Sequence, residues 1–207
     1  MVTSPIYVVT DIEVNGPTPG AHSMLAFASV ALDSRGGEID SFEAVLETLP
    51  EAGEDSVTID WFKGFPDAWA AATANPQPPQ AVMERYAMWV RGLPGQPIFA
   101  AHPVAFDGAW IDYYLRRFLG TRLLKGPWAG ERLFFTAGLC LQAFAAGRTG
   151  WDFHACHTEA YPAEWLGHVP HDHTSINDAR GYANLLRTLL HMEAPAGGSA
   201  VTPSDRG

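Results

Sequence analysis

Basic residues are scarce in this chain. Thirteen lysines and arginines face 23 aspartates and glutamates, for a formal net charge of −10. That balance excludes a protein that coats long duplexes through a broad basic surface. It leaves open an enzyme that grips a few nucleotides at one local site. Cysteine is scarcer still. Cys140 and Cys156 stand alone, form no CxxC, and read as reduced thiols rather than a disulfide framework. Long apolar runs are missing: the best candidate, "MLAFASVAL" (24–32), has the length of a buried strand and not of a membrane span. The opening "MVTSPIYVVTDIEV" has no basic n-region and meets acids early, unlike a signal peptide, so a cytoplasmic protein with no membrane partner is expected. No internal repeat and no composition shift divides the chain.

What is present suits a packed core. Hydrophobic residues make up 47% and charged residues 17%. "PIYVVTDIEV" (5–14) is rich in β-branched residues and reads as a strand. "MLAFASVALD" (24–33) is a second strand, "DSRGG" (33–37) is turn chemistry, and "EIDSFEAVLE" (38–47) is a third strand. Short connections make these an antiparallel meander. A polar loop (48–57) leads to an aromatic, short-helical stretch at 58–73, and "NPQPP" (75–79) punctuates the chain. Helical spacing then marks 79–92, followed by the apolar strand "QPIFAAH" (96–102) and a helix carrying Phe106, Trp110, Ile111, Tyr114, Leu115 and Phe118. The stretch 132–147 fits strand, helix or both in sequence, and 148–173 is mostly irregular. A last helix runs from Ser175 to about 191. The expected architecture is an α/β domain over 1–192, with three antiparallel strands, then parallel strands, in one mixed sheet flanked by helices. A polar, disordered tail is expected over 193–207.

Three short motifs carry acids at places where chemistry is done. "DIE" puts Asp11 and Glu13 two residues apart on the first strand, hence on one face. Two carboxylates there repel each other unless a cation lies between them, although a solvated edge is the commoner reason for such a pair. "HPVAFD" (102–107) puts Asp107 in the first turn of a helix just after a strand, where the helix dipole alone favours an acid. "HTSIND" (173–178) opens the last helix, with Ser175 as N-cap and Asp178 three residues on. Five residues rotate a helix by roughly 140°, so His173 can join Asp178 only from the loop before the helix.

Taken in order on these elements, "DIE", "HPVAFD" and "HTSIND" resemble the motifs of the DEDD 3′–5′ exonucleases. The branch is the one with a histidine, within the DnaQ-like superfamily and its ribonuclease H-like fold. The resemblance covers roughly residues 5–191. "DIEVNGPTPGAHSMLAFASVAL" and "TIDWFKGFPDAW" look more narrowly like the bacterial 3′–5′ exoribonuclease-like members. Two positions depart from many relatives: Val14 replaces a threonine after the motif glutamate, and Pro103 replaces an asparagine after the motif histidine. The resemblance implies that Asp11, Glu13, Asp107 and Asp178 hold two divalent ions, Mg²⁺ or Mn²⁺, as oxygen-only ligands suit hard cations. It implies His173 as the general base, and Ile12, Val14, Met24 and Phe106 beside the terminal nucleoside. The implied partner is a single-stranded 3′ end, RNA ahead of DNA, cut to nucleoside 5′-monophosphates; a homodimer is expected on the same ground. Trp61 is either a base-stacking residue or core.

Other readings weigh less against this constellation. His154, Cys156, His157, His168 and His171 could hold zinc, but their spacing matches no common zinc module. His171 and Asp172 spell the "HD" of all-helical metal phosphohydrolases, which the three opening strands oppose. His171 is also the alternative general base. A non-catalytic relative would have lost a carboxylate, and none is lost. A proofreading exonuclease acting with a polymerase would be expected to carry a partner-binding extension, and none is recognisable.

Overall fold

The computed structural model describes residues 4–124, 126–127, 130–135 and 137–193. The tail expected over 193–207 lies outside the described residues save Glu193. Five strands form one sheet in the order β3-β2-β1-β4-β5. β1 (Pro5–Val14), β2 (Met24–Leu32) and β3 (Glu38–Val45) are the antiparallel meander. β4 (Gln96–Ala101) and β5 (Leu139–Cys140) add in parallel on the other side of β1. The mixed sheet is therefore the expected one. The second strand stops one residue short of Asp33, whose carboxylate accepts from the N–H groups of Arg35 and Gly37 and closes the turn.

The helices are α1 (Ser56–Phe62), α2 (Pro66–Thr73), α3 (Pro79–Gly92), α4 (Val104–Leu119), α5 (Leu141–Thr149) and α6 (Ser175–His191). The aromatic stretch 58–73 is thus two helices rather than one. Asp55 caps the first by accepting from the Thr58 N–H at 2.8 Å. Pro66 forces the break, since it lacks an N–H and pushes Phe65 out of the helical region. The doubtful stretch 132–147 contains both a two-residue strand and the start of α5. Gly120 ends α4 at φ 63°, a left-handed cap that glycine adopts without strain.

The alternation of β1 divides the core. Ile6, Val8 and Ile12 face α3 and α4, with Tyr86, Trp110, Ile111 and Tyr114. Val9 points the other way and packs with Leu185, Leu186 and Leu189 of α6. Asp11 and Glu13 continue that second row. A third cluster, Leu25, Ala26, Phe62, Ala68 and Ala72, seats α1 and α2 beside them.

Candidate functional site

The carboxylates gather where β1 outruns its parallel neighbour. Pairing of β1 with β4 ends at Val9 opposite Ala100, so Asp11 and Glu13 project beyond the carboxyl end of β4. Across β2 they face Ala28 and Ala26. Two alanines there leave room for two acids; larger partners would fill it. Asp107 arrives from the first turn of α4, directly after β4, and Asp178 from the first turn of α6.

Ligand atoms of Asp11, Glu13 and Asp178 all lie within 4.8 Å of one another. Glu13 is 7% exposed, Asp107 4% and Asp178 3%. Asp107 sits outside that trio but within its field, and accepts hydrogen bonds from its own N–H and that of Ile12. Burial pushes the Glu13 carboxyl up to about 9, with repulsion from Asp178 and Asp107 adding to it. Burial likewise pushes Asp107 up to about 7. Asp11 is held well above the carboxylate range by burial, then by Glu13, Asp107 and Asp178. A group of acids in which only Asp178 has a basic partner among the described residues fits divalent cations: the donors are all oxygen, and positive charge would remove the repulsion that raises them.

Two histidines complete the cleft. His171 Nδ1 lies 2.9 Å from Asp178 Oδ2, and that carboxylate holds the imidazolium form, raising the His171 pKa. His173 sits at φ 62°, a left-handed conformation uncommon for a side-chain-bearing residue and concentrated at functional sites. Its ring packs edge-on against Phe65 at 4.2 Å and Trp61 at 4.9 Å, and it makes no hydrogen bond among the described residues. Burial and the neighbouring His171 lower its pKa.

The loop between the histidines is tied down by Asp172. One Asp172 oxygen accepts from the Thr174 N–H at 3.0 Å, the other from the Asn177 amide at 2.8 Å. Its own N–H donates to Asp178 at 3.2 Å. The N-cap of α6 is accordingly Thr174, not Ser175, which is buried in the first helical position. No side chain caps the first-turn N–H groups; Asp172 instead ties the cap residue's own N–H and the Asn177 side chain to the loop.

A cleft of about 310 Å³ opens over these groups. Asp11, Glu13, Asp178, His171 and His173 line it, as do Ile12, Val14, Trp61 and Phe106. Trp61 is 52% exposed and Phe106 42%, and both line the cleft. Met24 does not reach it. It is fully buried against the α3–α4 core, with its N–H bonded to Tyr114 Oη, because a bulge between Glu13 and Val14 shifts the register there. Among the described residues, His154, Cys156, His157 and His168 form no metal-holding group; His157 pairs with Glu159 instead. Nothing in the sequence marked Phe65 or Tyr182, and Asp172 stood out only as part of the "HD" pair. The Tyr182 ring lies 6.0 Å from His171 and stacks on His102 at 4.8 Å. Only its helical offset of four from Asp178 could have signalled it.

No family model matches this sequence, and no curated protein matches it. Solved structures do. The nuclease domain of 3′hExo, a DEDDh family member bound to rAMP, superposes with a TM-score of 0.63 at 13% identity, covering 90% of this chain and 91% of that one. E. coli exonuclease I in complex with a dT13 oligonucleotide gives 0.62 at 13% identity, covering 93% of this chain and 42% of that one. Cell-death related nuclease 4 gives 0.60 at 17% identity, covering 93% and 65%. The chain therefore has the ribonuclease H-like α/β fold of the DEDDh exonucleases.

Proposed function

We propose that this protein is a divalent-metal-dependent 3′–5′ exonuclease that removes nucleoside 5′-monophosphates from single-stranded nucleic acid. One observation carries the reading. Three carboxylates from β1 and α6, those of Asp11, Glu13 and Asp178, converge with two histidines in one open cleft at the end of the sheet, and buried Asp107 of α4 lies close enough to raise the pKa values of Asp11 and Glu13. Asp11, Glu13, Asp107 and Asp178 would hold two ions of the Mg²⁺ or Mn²⁺ class. When bound, such a pair supplies the charge that stabilises both the attacking and the leaving oxygen of a phosphodiester.

The chain's own residues do the rest. Trp61 and Phe106 offer exposed rings on which a terminal base can stack, with Ile12 and Val14 as the apolar floor. The cleft volume suits one nucleoside. His171 has committed Nδ1 to Asp178 and so fixes that carboxylate's orientation. His173 has no such commitment and lines the same cleft, so its imidazole takes the proton from the attacking water. Its place on the loop before α6 lets it approach while Asp178 stays on the helix. The products are a 5′-monophosphate and a strand one nucleotide shorter with a free 3′ hydroxyl.

RNA is the preferred substrate in this reading. The neighbour whose length this chain nearly spans is bound to rAMP, whereas the chain spans less than half of the DNA-bound exonuclease. The test is incubation with 5′- and 3′-labelled RNA and DNA oligonucleotides in Mg²⁺, Mn²⁺ or EDTA. Stepwise shortening from the 3′ end with mononucleotide release, abolished by EDTA, is expected. No mononucleotide with either metal would refute the reading.

A further inference from the structure

The same cleft holds a second donor set of a different chemical kind. Ligand atoms of His171, His173 and Asp178 lie within 4.8 Å of one another, a group that overlaps the carboxylate trio only at Asp178. We propose that His171, His173 and Asp178 form a separate site for a borderline transition-metal ion, Zn²⁺ in particular, and that its occupation shuts the enzyme off.

Three geometric facts support the site. Bonds of about 2.0–2.2 Å to Zn²⁺ place tetrahedral donors roughly 3.4 Å apart. His171 Nδ1 and Asp178 Oδ2 stand 2.9 Å apart, so admitting an ion needs them to part by about half an ångström and the His173 ring to come nearer. Among the described residues that ring has edge contacts with Trp61 and Phe65 and no hydrogen bond, so it can shift without breaking one there. Asp178 is supported from behind: the Asp172 N–H holds its Oδ1, leaving Oδ2 for the ion, the outer-shell arrangement that ligating carboxylates use. Three protein ligands and an open cleft leave a fourth position to water.

Ligand chemistry separates this ion from the catalytic pair. Two imidazoles and one carboxylate favour Zn²⁺, Cu²⁺ or Ni²⁺ over Mg²⁺, whereas oxygens alone favour Mg²⁺ or Mn²⁺. The two sets compete because they share Asp178. An ion on the histidine side takes the lone pairs of both imidazoles, so neither can receive a proton, and draws Asp178 from the carboxylate group. This consequence rests on the nuclease reading of the cleft; the ion site itself does not.

The full-length, chelator-treated protein is titrated with Zn²⁺ by calorimetry, and with Co²⁺ as a visible-absorption probe of imidazole ligation. Asp11→Asn is expected to keep the Co²⁺ absorption of imidazole ligation seen in wild type, since Asp11 lies outside the set. His171→Ala and His173→Ala should each weaken binding about tenfold or more and bleach the Co²⁺ absorption. Zn²⁺ should also shift two histidine ring resonances in the NMR spectrum of the wild-type protein, a readout that needs no variant to fold. Undiminished Zn²⁺ binding after removal of both histidines, or no binding by wild type at micromolar Zn²⁺, overturns the proposal. In the activity arm, Zn²⁺ should arrest Mg²⁺-supported turnover and a zinc chelator restore it; turnover unaffected by Zn²⁺ at saturation overturns the inhibitory role. If Zn²⁺ binds as stated while no metal supports nucleic-acid degradation, the nuclease reading fails and the ion site stands.

Discussion

Replacing Glu13 by glutamine should stabilise the metal-free protein, with a pH dependence that identifies the cause. Glu13 is 7% exposed, and its carboxyl is pushed from 4.5 up to about 9. The folded state therefore holds a proton that the unfolded chain releases above about pH 4.5. Stability contributed by this group is highest below that pH and falls as pH rises, by about 1.4 kcal/mol per unit, until the folded carboxyl ionises near 9. At about pH 7.5 some three units have accumulated, for a limiting cost of about 4 kcal/mol. Asp11, Asp107 and Asp178 share the repulsion, so removing one acid recovers only part of it, about 2 kcal/mol. For a chain of this size that is about 4–8 °C in Tm. The assay is thermal unfolding by circular dichroism in EDTA, from about pH 5 to about pH 8. Glu13→Gln should melt higher than wild type near pH 7.5, with the gap closing near pH 5. Adding Mn²⁺ should reverse the ranking, because the ion binds the ionised carboxylates that the variant lacks. A lower Tm for Glu13→Gln in EDTA at the higher pH, or a gain that does not change with pH, would show that repulsion among these acids is not what their burial costs.

Asp11→Ala should cut turnover about a thousandfold while leaving the circular dichroism spectrum unchanged, as a role confined to the cleft requires; retained nuclease activity would remove Asp11 from the site. His173→Ala should slow turnover about 10²–10⁴-fold with Mn²⁺ affinity largely preserved, and a larger loss in His171→Ala would move the general base to His171, earlier in the same loop. Trp61→Ala should raise KM about tenfold through lost base stacking and change kcat little; an unchanged KM would make Trp61 only the packing partner of His173. Asp172→Ala should lower Tm by about 2–4 °C, because it removes the acceptor for the Thr174 N–H and the Asn177 amide, about 1 kcal/mol in a chain of this size; no change in Tm would show that α6 needs no help from that loop.

Much of this molecule is legible in one dimension because its signals are local. The strand "PIYVVTDIEV" and the helix beginning at Pro79 show their periods directly, and both occur at the bounds expected. The two acids of "DIE" share a face for the same reason, since the period of a strand is two. Local chemistry also misled. Ser175 looks like a cap by spacing, yet Thr174 occupies that position without a side-chain cap, and Asp172 holds it through its N–H. Met24 follows the substrate-facing strand in the family pattern, but the register shift at Glu13 turns it into the core. A register shift depends on how two strands meet, and no single residue announces it.

The sequence by itself determined the α/β class and most of the element order, which follow from residue type and short-range spacing; the four acids and the histidine it offered only through their resemblance, in order, to a family's motifs. Tertiary structure alone decided that Asp178 lies within ligand distance of Asp11 and Glu13, more than 160 positions away in the chain. It also separated the two histidines, giving His171 the carboxylate and leaving His173 unbonded against Trp61 and Phe65. The physical reason is burial. Desolvation and mutual repulsion among the acids arise only when strands and helices bring them together out of water.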